Sequence, residues 1–202
     1  MKGVTLTFLG LLCGTAPTAR GQVLVGLDMG GTWTSDLAQD VIVNAITVAP
    51  AVAPTIAVAL GTPISDVYSV GIRVRWTHSD VTRHELNTDF TVLPLTVWTG
   101  MVTLERRLTD WGTVEGAVGA IKYAPGSDGR SATLFQDDAP LAATVGLGAR
   151  ARRPVSHRWA LGAYLAYDAH QFVTQALRAG GAGGARTVHR VSGGISVYWS
   201  AR

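Results

Sequence analysis

Cysteine is all but missing. The only one is Cys13, in a stretch read below as a leader, so the rest of the chain offers neither disulfides nor metal–thiolate sites. An unbroken apolar run of roughly eighteen residues is missing too, which excludes a helical membrane span. Charge is scarce: charged residues make up 15% of the 202 positions, against 47% hydrophobic. That is apolar for a soluble protein. Lys and Arg number 17 and Asp and Glu 14. Lys2 and Arg20 belong to the leader, so the chain beyond it is nearly neutral, and no nucleic-acid partner is indicated.

The leader has three parts. Lys2 supplies the positive start, Val4–Leu12 a short apolar core, and Ala19-Arg20-Gly21 a small-x-small cleavage site. Residues 1–21 therefore read as a secretory signal peptide, with Gln22 opening a single domain over 22–202. A lipid anchor on Cys13 would want a small residue before it, and Leu12 stands there.

The clearest pattern lies in Val67–His78. Tyr68, Val70, Ile72, Val74 and Trp76 share one face; Ser69, Gly71, Arg73, Arg75 and Thr77 share the other. Alternation with period two is the mark of a strand with one oily and one wet side. The oily side is aliphatic in the middle and aromatic at both ends, as expected where a strand crosses a bilayer.

Similar strands follow from the rest of the chain. Gln22–Trp33 is the first, with Val23, Val25, Leu27 and Met29 on its oily face. Val41–Gly61 looks superficially like a membrane helix. Pro50, Pro54 and its β-branched content argue instead for a strand over Ala51–Leu60, with Ile46 as an alternative start and irregular pairing near the prolines. Phe90–Arg107 changes parity between Leu93, Leu95, Val97 and Val102, Leu104, which predicts a bulge near Gly100. Thr113–Tyr123, Leu141–Arg152, His157–Phe172 and Thr187–Trp199 complete the set. In Thr113–Tyr123 only Glu115 fixes which side faces lipid.

Polar stretches separate them. Long ones are expected over Thr34–Ala45, His78–Asp89, Ala124–Pro140 and Gln171–Arg186. Short turns are expected at Gly61–Asp66, Thr109–Gly112 and Arg153–Ser156. Long and short alternate, so long loops gather at one end and short turns, with both termini, at the other. The expected fold is all-β: an antiparallel up-and-down transmembrane barrel of about eight strands. The 24 glycines suit tight turns and a crowded barrel interior.

Signal, alternation and loop asymmetry together resemble the small eight-stranded outer-membrane barrels, the OmpA/OmpX/OmpW-like group. His189–Trp199 looks like the closing strand that this group offers to the membrane-assembly machinery, although Ser200-Ala201-Arg202 follow the aromatic. The resemblance implies export to the outer membrane, contact with its lipid and long extracellular loops. It fixes no activity, because the group spans structural anchors, adhesins, narrow pores and lipid-modifying enzymes. The expectation is a non-enzymatic, monomeric, structural or surface-binding barrel with no cofactor.

On that orientation Asp28, Arg73, Arg75, Glu105, Glu115, Arg150, Arg152, Asp168 and Arg190 face inward, as a mutually paired polar plug. The rival reading is a narrow anion-favouring pore, since five of these nine are arginines. Trp111, Trp159, Trp199 and Tyr68 are expected at the short-turn boundary, and Trp33, Trp76, Phe90 and Phe172 at the long-loop boundary. Three other constellations carry chemistry on paper. His189, Ser192 and Glu115 are the residue types of an acyl-transfer site, as in barrels that deacylate lipid, but positions three apart on a strand point to opposite faces. His78, Asp80, His84 and Glu85 share a stretch but no recognised metal-ligand spacing. Gly31-Thr32-Trp33 and Thr88-Asp89-Phe90 resemble short lipocalin signatures. A lipocalin would be a soluble barrel around a small apolar ligand, with Trp76 and Trp159 turned inward.

Overall fold

The computed structural model describes residues 23–40, 46–85, 88–126, 141–172 and 186–201. The expected leader and much of the two later long loops lie outside them. The described elements are all strands: β1 (Val23–Thr34), β2 (Ala38–Asp40), β3 (Ile46–Pro50), β4 (Ala53–Pro63), β5 (Tyr68–Glu85), β6 (Thr88–Arg107), β7 (Gly112–Pro125), β8 (Leu141–Pro154), β9 (Trp159–Phe172) and β10 (Arg186–Ala201). Going round the wall, β1 pairs with β4, then come β5, β6, β7, β8, β9 and β10, and β10 returns to β1. The result is a closed, all-antiparallel barrel of eight strands. Closure leaves the main wall no free edge.

The small strands β2 and β3 correct the first expected loop. They pair with each other and continue the β1–β4 hairpin beyond the barrel rim. The predicted second strand is accordingly two pieces. Pro50 pairs with Val81, whereas Thr55 pairs with Thr77, so the register slips by one residue between them. The amide of Ala51 bridges the gap by donating to the Asp80 carbonyl at 2.9 Å. Pro50 and Pro54 flank the slip because neither can donate to a ladder. Pairing is irregular where the prolines predict it.

The polar stretch His78–Asp89 is not a loop. β5 runs to Glu85 and β6 begins at Thr88, so the two form one tall hairpin. Polarity misleads here because this part of the wall stands clear of the apolar band, so its outer face needs no apolar residues. The predicted bulge at Gly100 is absent. Register shifts instead between Val81 and Thr82, opposite Leu93 and Thr91. Below it β6 holds one parity throughout: Leu93, Leu95, Val97, Thr99, Met101 and Thr103 are buried, while Trp98, Val102 and Leu104 are exposed. The strand's apolar residues move from the inner to the outer face as it descends, without any insertion.

Three tight turns close the terminal end, over 64–67, 108–111 and 155–158. They share one hydrogen-bond scheme. The amides of Ile64 and Ser65 donate to the Tyr68 carbonyl, those of Leu108 and Thr109 to Gly112, and those of Val155 and Ser156 to Trp159, all at 2.9–3.1 Å. Ser65 Oγ accepts from the Tyr68 amide at 3.0 Å and Ser156 Oγ from the Trp159 amide at 3.2 Å. The repeated aliphatic–Ser/Thr pair is legible in the sequence as Ile64-Ser65, Leu108-Thr109 and Val155-Ser156.

Candidate functional site

The barrel has two surfaces that carry chemistry, the wall outside and the lumen inside. Outside, Val23, Leu27, Met29, Ile56, Val58, Leu60, Ile72, Val74, Val102, Val118, Val145, Leu147, Leu161, Leu165 and Ile195 are all exposed. They form a continuous apolar belt. Tyr68, Trp111, Trp159 and the outward Trp199 border it near the turns; Trp33, Trp76 and Trp98 border it at the other end. Tyr68 and Trp76 are eight residues apart on β5. At about 3.4 Å per residue and a tilt of about 40°, that is roughly 20 Å of height. An apolar band of about 25 Å is what a bilayer-spanning barrel needs.

Three aromatics differ from expectation. Phe172 is 1% exposed and points inward, so it does not mark the outer boundary. It lies past the belt on β9, where an apolar side chain gains more from the barrel's own core than from water. Its place on the outside falls to Tyr167, which is exposed. Trp98, exposed and opposite Trp76, joins the same border, a position that only the register reveals. The side chain of Phe90 is outside the described residues.

Inside, the lumen is stacked in tiers. The lowest closed tier joins β1, β5, β7 and β8. Arg73 forks both Nη groups onto the Glu115 carboxylate. Arg150 donates from Nη1 and Nη2 to the two oxygens of Asp28 at 3.0 and 2.9 Å, and from Nε to Glu115 at 3.1 Å. Ser196 Oγ donates to Asp28 at 2.7 Å. All four charges are nearly inaccessible to water. Strong charge-assisted, forked bonds are what make such burial tolerable. Gly148, opposite Glu115 in register, makes room: a Cβ there would sit 2.7 Å from Glu115 Oε1.

One step further from the turns, Arg75 Nη1 donates to Asp168 Oδ1 at 2.7 Å, and Arg190 Nη1 lies 3.5 Å from Asp168 Oδ2. Arg190 also donates to Thr99 Oγ1 at 3.0 Å and Thr77 Oγ1 at 3.1 Å. Above these lies an apolar tier of Leu37, Val81, Leu93, Leu95, Val97, Ile121, Tyr123, Phe172 and Val188. The Tyr123 hydroxyl and His170 Nε2, 2.6 Å apart, join it to the charges below. Sequence reasoning placed Leu93, Leu95 and Val97 on the lipid face and so missed this tier. Arg152 and Glu105 sit near the turns, 3.8 Å apart and only partly buried.

The other constellations do not assemble. His189 is on the outer face, 2.6 Å from the Tyr167 hydroxyl. Ser192 is inside, 2.8 Å from Thr32 Oγ1, and Glu115 is held by its arginines. His78 and Asp80 lie on the outside of β5, and the side chains of His84 and Glu85 are outside the described residues. No metal-ligand cluster occurs among the described residues. Trp159 is about half exposed, and Trp76 lies on the same outer face of β5 as the exposed Ile72 and Val74, so the inward turn that a lipocalin would require is reversed.

No family model matches the chain, and no curated protein sequence does. Solved structures match its fold. The outer-membrane protein AlkL, determined in lipid bilayers, covers 93% of this chain and 93% of its own at 11% identity, with a TM-score of 0.56. Neisserial surface protein A covers 89% and 99% at 12% identity and a TM-score of 0.55. The outer-membrane protein OprG of Pseudomonas aeruginosa covers 90% and 97% at 12% identity and 0.51. The chain has the fold of small eight-stranded outer-membrane barrels.

Proposed function

We propose that the chain is an integral outer-membrane β-barrel with an occluded polar lumen, and that it acts as a structural or surface-binding protein through the tall ends of its walls and loops. The carrying observation is the exposed apolar belt with aromatic borders, wrapped round buried, paired charges. In water that belt would be an exposed apolar surface far beyond what a soluble monomer carries. In lipid it is the expected exterior. The tiers of ion pairs and the apolar tier above them favour occlusion over an anion-conducting pore, because each guanidinium in them is already committed to a carboxylate. The reading includes export by the leader over 1–21, insertion through β10 as the closing strand, a monomer in outer-membrane lipid, and no catalytic role.

Heat-modifiability tests it. The chain from Gln22 onward, refolded in detergent, should migrate anomalously on a gel until boiled. It should fail to reach that form in plain buffer. A protein that folds and stays soluble without detergent or lipid would overturn the membrane reading.

A further inference from the structure

The lumen's charges do not balance tier by tier. Arg73 and Arg150 match Asp28 and Glu115. At the turn end, however, Arg107 and Arg152 line the same space as the single carboxylate of Glu105, which is 4.0 Å from Arg150 and 3.8 Å from Arg152. Those separations are too long for hydrogen bonds. Among the described residues the Arg152 guanidinium donates no hydrogen bond, and Arg107, which is exposed, has no ion pair. Asp66 and Asp110 are exposed in the turns and do not line this space.

A cavity of about 180 Å³ opens here from the terminal end of the barrel. Arg107, Arg150, Arg152, Glu105, Tyr198 and Ser69 are among its walls, and the Arg150 tier is its floor. Tyr198 is 3% exposed. Its hydroxyl accepts from Arg150 Nη1 at 2.7 Å, which leaves the hydroxyl proton free to donate. The Arg152 guanidinium lies 5.3 Å from the Tyr198 ring centre, so the ring holds it at the wall. Surplus positive charge, uncommitted donors and a partly enclosed, low-dielectric space together make an anion site.

We propose that this cavity binds a small, multiply charged oxyanion of the phosphate class, held by Arg107 and Arg152 with the Tyr198 hydroxyl as a third donor. The site is one-ended, so it is a binding pocket and not a segment of a pore. The proposal rests on the outer-membrane reading only for the compartment that supplies the ion, which would be the periplasm.

The test is calorimetric titration of the refolded chain with inorganic phosphate at constant ionic strength in chloride. Glycerol phosphate serves as a second arm, to separate a free ion from a lipid headgroup. One saturable site is expected. Arg107→Gln with Arg152→Gln should weaken it at least tenfold, and Tyr198→Phe several-fold. Arg106→Gln, a neighbour on the outer face, should leave it within twofold. Tighter binding of glycerol phosphate than of phosphate would overturn the free-ion assignment. No saturable binding, or binding indifferent to the double variant, would overturn the site. Each preparation is first checked for heat-modifiability, so a folded barrel that ignores phosphate fails this proposal alone. A chain that folds in plain buffer fails the membrane reading, and the same titration in that buffer still decides the pocket.

Discussion

Arg150 shows what a single side chain does in this lumen. Its guanidinium spans Asp28, Glu115 and Tyr198, so it ties together three strands that are distant in sequence. Removing a partner from such a cluster leaves buried charge in excess. Glu115→Ala takes both hydrogen-bonded carboxylate contacts from Arg73 and leaves Arg73 and Arg150 to share Asp28, and should cost about 3–5 kcal/mol. Urea unfolding in lipid vesicles, followed by tryptophan fluorescence, measures this. Adding Arg73→Met should recover part of the loss, because an uncharged residue of similar volume needs no counter-charge. A Glu115→Ala variant as stable as the parent would show that the tier carries no net stabilisation.

At the scale of the element, each strand divides into a stretch inside the belt and a stretch beyond it. On β7, Val114 and Val118 face out through the belt, while Ile121 and Tyr123 face into the apolar tier. Val118 is mid-belt, flanked by Val102 and Val145 on its two neighbours. Val118→Arg should therefore cost about 2–4 kcal/mol, the range for arginine near a bilayer midplane. Lys122→Ala, outward on the same strand but level with Trp98 at the belt's border, should stay within about 0.5 kcal/mol, as exposed substitutions do. Equal effects from the two, in the same unfolding assay, would place the belt elsewhere. The expected bulge at Gly100 failed for this same reason. A bulge is needed for Leu93, Leu95 and Val97 only if one environment holds along the whole of β6.

For the whole molecule, the decisive feature is that charged tiers and an apolar tier follow one another along the same axis. An ion would have to break Arg75–Asp168–Arg190 and then cross Leu95, Val97, Ile121 and Phe172. Eight-stranded barrels have interiors just wide enough for side chains. Purified protein in planar bilayers should show no stable conductance steps. Reproducible steps would overturn the occluded lumen and revive the anion-favouring pore. The likeness to AlkL, the Neisserial protein and OprG, at 11–12% identity, bears on fold alone. Activity in this chain has to be argued from its own side chains.

Period-two alternation determined the strands of the belt and their oily faces, and the order of long and short connections determined the turn-end position of the termini. That information is local, because period two is written residue by residue and Trp33, Tyr68, Trp76, Trp111 and Trp159 mark the ends. That Asp28, Arg73, Arg75, Glu115, Arg150, Asp168 and Arg190 lie opposite the apolar face follows from the same parity; that this face is the inner one is decided by the structure. Tertiary structure decided the rest. Which carboxylate meets which guanidinium depends on barrel closure, which brings Asp28 to Arg150 across 122 positions of chain. The tall β5–β6 hairpin reads as loop because its outer face has no lipid to satisfy. The inward turn of Phe172 and the apolar tier depend on where the wall rises past the belt, a height set by tilt and closure together and by no single stretch of sequence.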